Sequence, residues 1–79
     1  MAQTKRHSAA LDKADSLLED ALNIVNSVLA EKQLVFDGRS DRWQAGEKGK
    51  EALEELATLE QAAATIEATQ EFLNQLRAE

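Results

Sequence analysis

Cysteine, proline and tyrosine are absent from this chain, and histidine occurs once, as His7. Without cysteine there are no disulfides, no thiolate metal ligands and no thiol redox chemistry. A single histidine cannot build a structural zinc site, nor the paired Glu-x-x-His pattern of di-metal bundles. No metal and no cofactor is therefore expected. Aromatic residues are limited to Phe36, Trp43 and Phe72, and glycine to three positions. No apolar run approaches the ~18 residues that a membrane span requires. The opening Met1-Ala2-Gln3-Thr4-Lys5-Arg6-His7 has no apolar core of the kind a secretory signal carries, so a cytoplasmic location is expected.

What remains is a composition for helix. Ala, Leu, Glu and Gln dominate, and the absence of proline removes the strongest helix breaker. Seventy-nine residues form one domain with a thin core, since a chain of this size buries only about 60 % of its unfolded surface. Small folds offset this with disulfides, metals or self-association. The first two are excluded by composition, which leaves a homo-oligomer, a dimer being the simplest closed form.

Helical periodicity begins after Ser8, a suitable N-cap, and predicts a first helix over about 8–36 behind a frayed polar tail over residues 1–7. Leu11, Leu18 and Val25 recur every seven residues, and Ala14, Ala21, Val28 and Val35 form a second row. Those rows alone would make a narrow coiled-coil seam. Leu17 and Ile24 flank it on one side, Leu22 and Leu29 on the other, so the apolar arc is wider than one partner helix covers. Leu17, Leu18, Leu22, Ile24, Val25, Val28 and Leu29 are thus the expected oligomer interface.

Asp37-Gly38 reads as the stop, with Gly38 expected in the left-handed conformation. Ser40 then caps a second helix over about 41–77, with Asp41 suited to the positive end of its dipole. Gly46 and Gly49 weaken its start, and one helix soft at that point is expected; a break, or a close backbone approach, is the alternative. From Ala52 the pattern is regular. Ala52, Leu59, Ile66 and Leu73 alternate with Leu56 and Ala63, Gln70 continues their row, and Leu53, Ala62, Phe72 and Leu76 widen the face. The expected fold is all-α: an antiparallel two-helix hairpin, with turn 37–40, assembling into a homo-oligomeric helical bundle.

Chemistry is sparse. The glycine spacing matches neither phosphate-loop signature. His7 lies in the polar tail without a plausible Ser–Asp partner from which to argue a triad, and adjacent Glu54 and Glu55 point to different sides of a helix, so no catalytic residues are assigned. The charge of −6 is uneven. Residues 51–79 set Arg77 against Glu51, Glu54, Glu55, Glu60, Glu67, Glu71 and Glu79, whereas residues 37–50 carry a surplus of +1. Such a chain is a poor general binder of nucleic acid, and no sequence-specific contact with it is expected. The turn is the one candidate ligand site: Arg39, Arg42, Trp43, Lys48 and Lys50 supply guanidinium and ammonium groups beside an indole face, suited to a small anion such as a nucleotide. A second reading stays open, in which Val35, Phe36 and Trp43 form an aromatic lid and the arginines pair with Asp37 and Asp41. The glutamates of the second helix are either a solvated face or a surface for a basic protein partner.

The segment Phe36-Asp37-Gly38-Arg39-Ser40-Asp41-Arg42-Trp43-Gln44, followed by Glu47-Lys48-Gly49, resembles the turn of small helical-hairpin proteins of bacteriophages and plasmids. The similarity spans about residues 30–60. It implies a non-catalytic accessory protein in a bacterial or host cell that binds and inhibits a host macromolecule, and it carries over no functional residues.

Overall fold

Three helices account for the chain in a computed structural model that describes residues 2–78: α1 (Ala2–Asp37), α2 (Asp41–Ala45) and α3 (Glu47–Ala78). The class is all-α, and no helix among the described residues is long and apolar enough to cross a membrane. α1 and α3 run in opposite directions along one another. Arg77 meets Asp12 at 2.7 Å, Gln70 meets Glu19 at 2.9 Å and Lys32 meets Glu55 at 2.6 Å, so partners on α3 fall in number as those on α1 rise. The result is a rod with Cα extents of 60 × 14 × 13 Å.

Several local expectations are corrected. Ser8 is not a cap, because α1 already runs from Ala2; the expected tail, His7 included, is its first turns, and Met1 lies outside the described residues. The second helix is not continuous over 41–77, because Gly46 ends α2 in an extended conformation at φ −83°, ψ −175°. Gly38 is not left-handed, since no described glycine has positive φ. Its amide instead donates to the Leu34 carbonyl at 3.1 Å, prolonging α1 by one bond, and the Arg39 amide closes the end by donating to Phe36 at 3.0 Å. Ser40 does cap α2, its hydroxyl accepting from the Trp43 amide at 3.2 Å, with Asp41 in the first turn.

The buried seam also differs by one row. On α1 the inward stripe is Leu11, Leu18 and Val25 with Leu22, Leu29 and Phe36, Leu22 being the most enclosed at 8 % exposure. Ala14, Ala21, Val28 and Val35, expected in the seam, lie on its flank. The two rows straddle a stripe of similar hydrophobicity, and only the position of α3 decides which turns inward. Lys32 and Asp15 occupy the polar steps of the true seam, paired with Glu55 and Arg77. On α3 the inward stripe is as expected: Ala52, Leu56, Leu59, Ala63, Ile66 and Leu73, with Leu56 and Ala63 buried. Gln70 is half-buried and donates across the seam to Glu19. At the far end Arg77 bridges Asp12 and Asp15 and also donates to Asn74. The hydrogen bond with Asp12 raises its already high pKa further, and the charges of both carboxylates add to this, so the clasp keeps its cation throughout the working pH range.

Candidate functional site

The turn is assembled from the end of α1, all of α2 and the first turn of α3. Gly49 makes this possible. A Cβ there would stand 2.6 Å from the Trp43 carbonyl oxygen and nearer still to the Gln44 carbonyl, so α3 passes α2 backbone to backbone. The Gln44 amide side chain then reaches back to α1, donating to the Phe36 carbonyl at 2.9 Å and the Arg39 carbonyl at 3.2 Å. It satisfies acceptors that the C-terminus of a helix leaves open. Sequence reasoning missed this role for Gln44, because the bond joins residues eight apart across a turn whose shape local pattern does not reveal.

Phe36 and Trp43 meet edge to face with ring centroids 6.1 Å apart and planes at 65°. The Arg39 guanidinium lies over the Trp43 ring, 4.9 Å from its centroid. Asp37 accepts from Gln33 at 2.9 Å. Of the candidate ligand residues, then, Arg39 and Trp43 are brought together and the indole face is occupied by the chain's own cation. Arg42 is exposed on α2. Lys48 and Lys50 are exposed on α3, and residues two apart on a helix point about 200° apart, so these two do not converge. Beside the aromatic pair lies a cavity of about 220 Å³, lined by Val35, Phe36, Trp43, Ala52 and Leu56 with Glu31, Lys32 and Glu55 at its rim. Its chemistry is apolar, suited to a hydrophobic side chain rather than a phosphate.

A second, larger feature runs the length of the rod. Of the residues expected to form an oligomer interface, Leu18, Leu22, Val25 and Leu29 are spent on the contact with α3. Leu17 and Ile24 are not: they are 59 % and 64 % exposed. Together with Ala10, Ala14, Ala21 and Val28 they repeat the inward stripe of α1 shifted back by one residue. On α3 the same backward shift picks out Thr58, Ala62, Thr65, Thr69, Phe72 and Leu76, with Phe72 64 % exposed. A shift of one residue in the same sense turns both helices' second stripes by about 100° about their own axes. Because the helices are antiparallel, these rotations bring both stripes to the same side of the pair.

The side so formed carries no charged residue over residues 10–28 of α1 and 58–76 of α3 at these positions. Its hydroxyls are also silenced. Thr58, Thr65 and Thr69 donate to the carbonyls four residues back, of Glu54, Gln61 and Thr65, at 2.9, 2.8 and 2.9 Å. The opposite side has the contrary character: Asp12, Glu19, Glu60, Glu67 and Glu71 stand there among Asn23, Asn26 and Asn74. The helix pair is therefore two-faced, apolar on one side and acidic on the other. No family model matches the chain, and no curated protein or solved structure matches it.

Proposed function

We propose that this chain is a small non-catalytic interaction protein: an antiparallel helical hairpin that self-associates and binds another macromolecule. The observation that carries the reading is the uncovered apolar side. Contiguous apolar patches of more than a few hundred Å² are uncommon on monomeric proteins and mark interaction surfaces. Leu17, Ile24 and Phe72 stand more than half exposed within such a patch, while among the described residues the rod's own seam holds only Leu22, Leu56 and Ala63 as buried apolar side chains. Association through the apolar side leaves the acidic side outward, where Glu60 and Glu67 offer a surface to a basic protein partner. The resemblance of the turn to phage and plasmid hairpins is in keeping with an accessory protein that acts on a host macromolecule in the cytoplasm.

Capture experiments with the purified chain test this. The variant Glu60→Lys/Glu67→Lys should keep its helicity and lose the captured partner. Unchanged capture would remove the acidic side from the account.

The alternative, a small anion such as a nucleotide held at Arg39, Arg42, Trp43, Lys48 and Lys50, is favoured by one contact, the cation over the indole that an incoming base could replace. Titration with a nucleoside triphosphate while following Trp43 fluorescence decides it. Saturable quenching that Arg39→Ala and Arg42→Ala abolish would support the ligand, and a flat titration would exclude it.

A further inference from the structure

We propose that the occupant of the apolar side is a second copy of this chain, packed face to face and turn to tail, with Phe72 and Leu76 of each copy set against the Trp43 cavity of the other. The inference rests on the interaction reading above and names the partner for one of its two faces.

Area supports a second copy. The stripe from Ala10 to Val35 is about 39 Å long at 1.5 Å per residue, and two helices packed about 9 Å apart are about 18 Å wide. The footprint is about 700 Å² per chain, close to the ~800 Å² per partner of a stable complex. Chemistry supports it too. Over residues 10–28 and 58–76 a face with no charge at the stripe positions, and with its threonine donors already bonded internally, makes no demand that a copy of itself fails to meet. A basic or acidic partner would have nothing to pair with there.

Orientation follows from where the charges lie. On this side they gather at the turn end, as Glu31, Glu51 and Glu55 around Lys32. Turn-to-turn stacking would bring the carboxylates of both copies together. Turn-to-tail stacking sets them opposite an uncharged end. The register of the Asp12–Arg77 and Glu19–Gln70 pairs places Phe72 level with Leu17, at the end remote from the turn. Two-fold pairing about the middle of the stripe then brings Phe72 and Leu76 of one copy to the other's cavity. At about 220 Å³ that cavity is roomier than the ~150 Å³ that holds a benzene ring.

Sedimentation equilibrium at micromolar concentration should give twice the 8.7 kDa chain mass. Ile24→Glu and Phe72→Glu should each return the monomer with unchanged circular dichroism, since both side chains are mostly exposed in the single chain. Asn26→Glu, on the acidic side, should leave the dimer intact. Orientation is read with single cysteines, which are unambiguous in a cysteine-free chain. Thr65→Cys, near the two-fold, should form a disulfide with its own copy under mild oxidation; Leu76→Cys should not, because its copies lie at opposite ends. Crosslinking of Leu76→Cys but not Thr65→Cys would overturn the turn-to-tail arrangement. A monomeric wild type, or equal weakening by Asn26→Glu and Ile24→Glu, would overturn the dimer. If the wild type is monomeric but Glu60→Lys/Glu67→Lys still loses a captured partner, the dimer falls and the interaction reading stands. If the dimer is intact and charge reversal changes nothing, the reverse holds.

Discussion

Substituting alanine at two glycines of the turn should move stability in opposite directions. At Gly49 the added Cβ meets backbone, the Trp43 carbonyl oxygen at 2.6 Å and the Gln44 carbonyl closer still. Backbone cannot rotate aside as a side chain can, so α2 and α3 must separate by more than 1 Å to reach ordinary contact. Overpacking of this kind costs about 1–3 kcal/mol, and the rigid neighbours place Gly49→Ala at the upper end. Alanine recovers about 1 kcal/mol of helix propensity within α3. The net loss is about 2 kcal/mol, and at about 4–8 °C per kcal/mol for a chain of this size the melting temperature should fall by about 8–16 °C. At Gly38 the nearest atoms to an added Cβ are the Leu34 and Val35 carbonyl oxygens at 3.5 and 3.6 Å, which is ordinary contact. With no positive φ to strain, Gly38→Ala gains about 0.4–1 kcal/mol by restricting the unfolded chain, and the melting temperature should rise by a few degrees. Thermal unfolding by circular dichroism, at one fixed protein concentration, measures both. A melting temperature for Gly49→Ala at or above wild type would refute the close passage of α3 over α2.

Three further outcomes follow from the packing. Leu56→Ala, at the most enclosed position of the seam, should cost about 2–5 kcal/mol in urea unfolding, whereas Leu34→Ala, on an exposed side chain, should stay within about 0.5 kcal/mol of wild type. Gln44→Ala should cost about 1–3 kcal/mol, since the half-buried bond to the Phe36 carbonyl and the bond to the Arg39 carbonyl are both lost; no change would mean that water replaces them. Lys32→Ala should alter stability by less than about 1 kcal/mol, because its ion pair with Glu55 is largely solvated, and by less again at high salt.

How far the sequence disclosed this molecule depended on the range of the interaction concerned. Ser40 as a cap was legible because its bond to the Trp43 amide spans three residues. The α3 seam was legible because Ala, Leu and Ile on it stand against Glu, Gln and Thr off it. The α1 seam was not, because leucine, isoleucine and valine occupy three adjoining rows, and choosing among them requires knowing where α3 lies. Excess width was visible without its direction, and the structure supplies the direction: Leu22 and Leu29 turn inward, Leu17 and Ile24 remain outside. Gly46 and Gly49 look alike in sequence. One ends a helix and the other admits the backbone of Trp43 and Gln44, a difference made by how the chain bends between α2 and α3. At the turn, the cation beside the indole was foreseen as ligand chemistry, and Arg39 stacked on Trp43 gives it an internal partner. The cavity next to it is built from α1, α2 and α3 together, and no local pattern announces it.

The central claim is that the apolar side is a working surface rather than a tolerated excess, and the dependence of melting temperature on protein concentration tests it most directly. A chain that buries this side against a copy of itself is stabilised by mass action, by up to about 2.7 kcal/mol for a hundredfold rise in concentration above the dissociation constant. The wild-type melting temperature should therefore climb by several degrees between low micromolar and submillimolar protein, and that of Ile24→Glu should not move. A wild-type melting temperature independent of concentration, with a mass that remains 8.7 kDa throughout, would contradict the account.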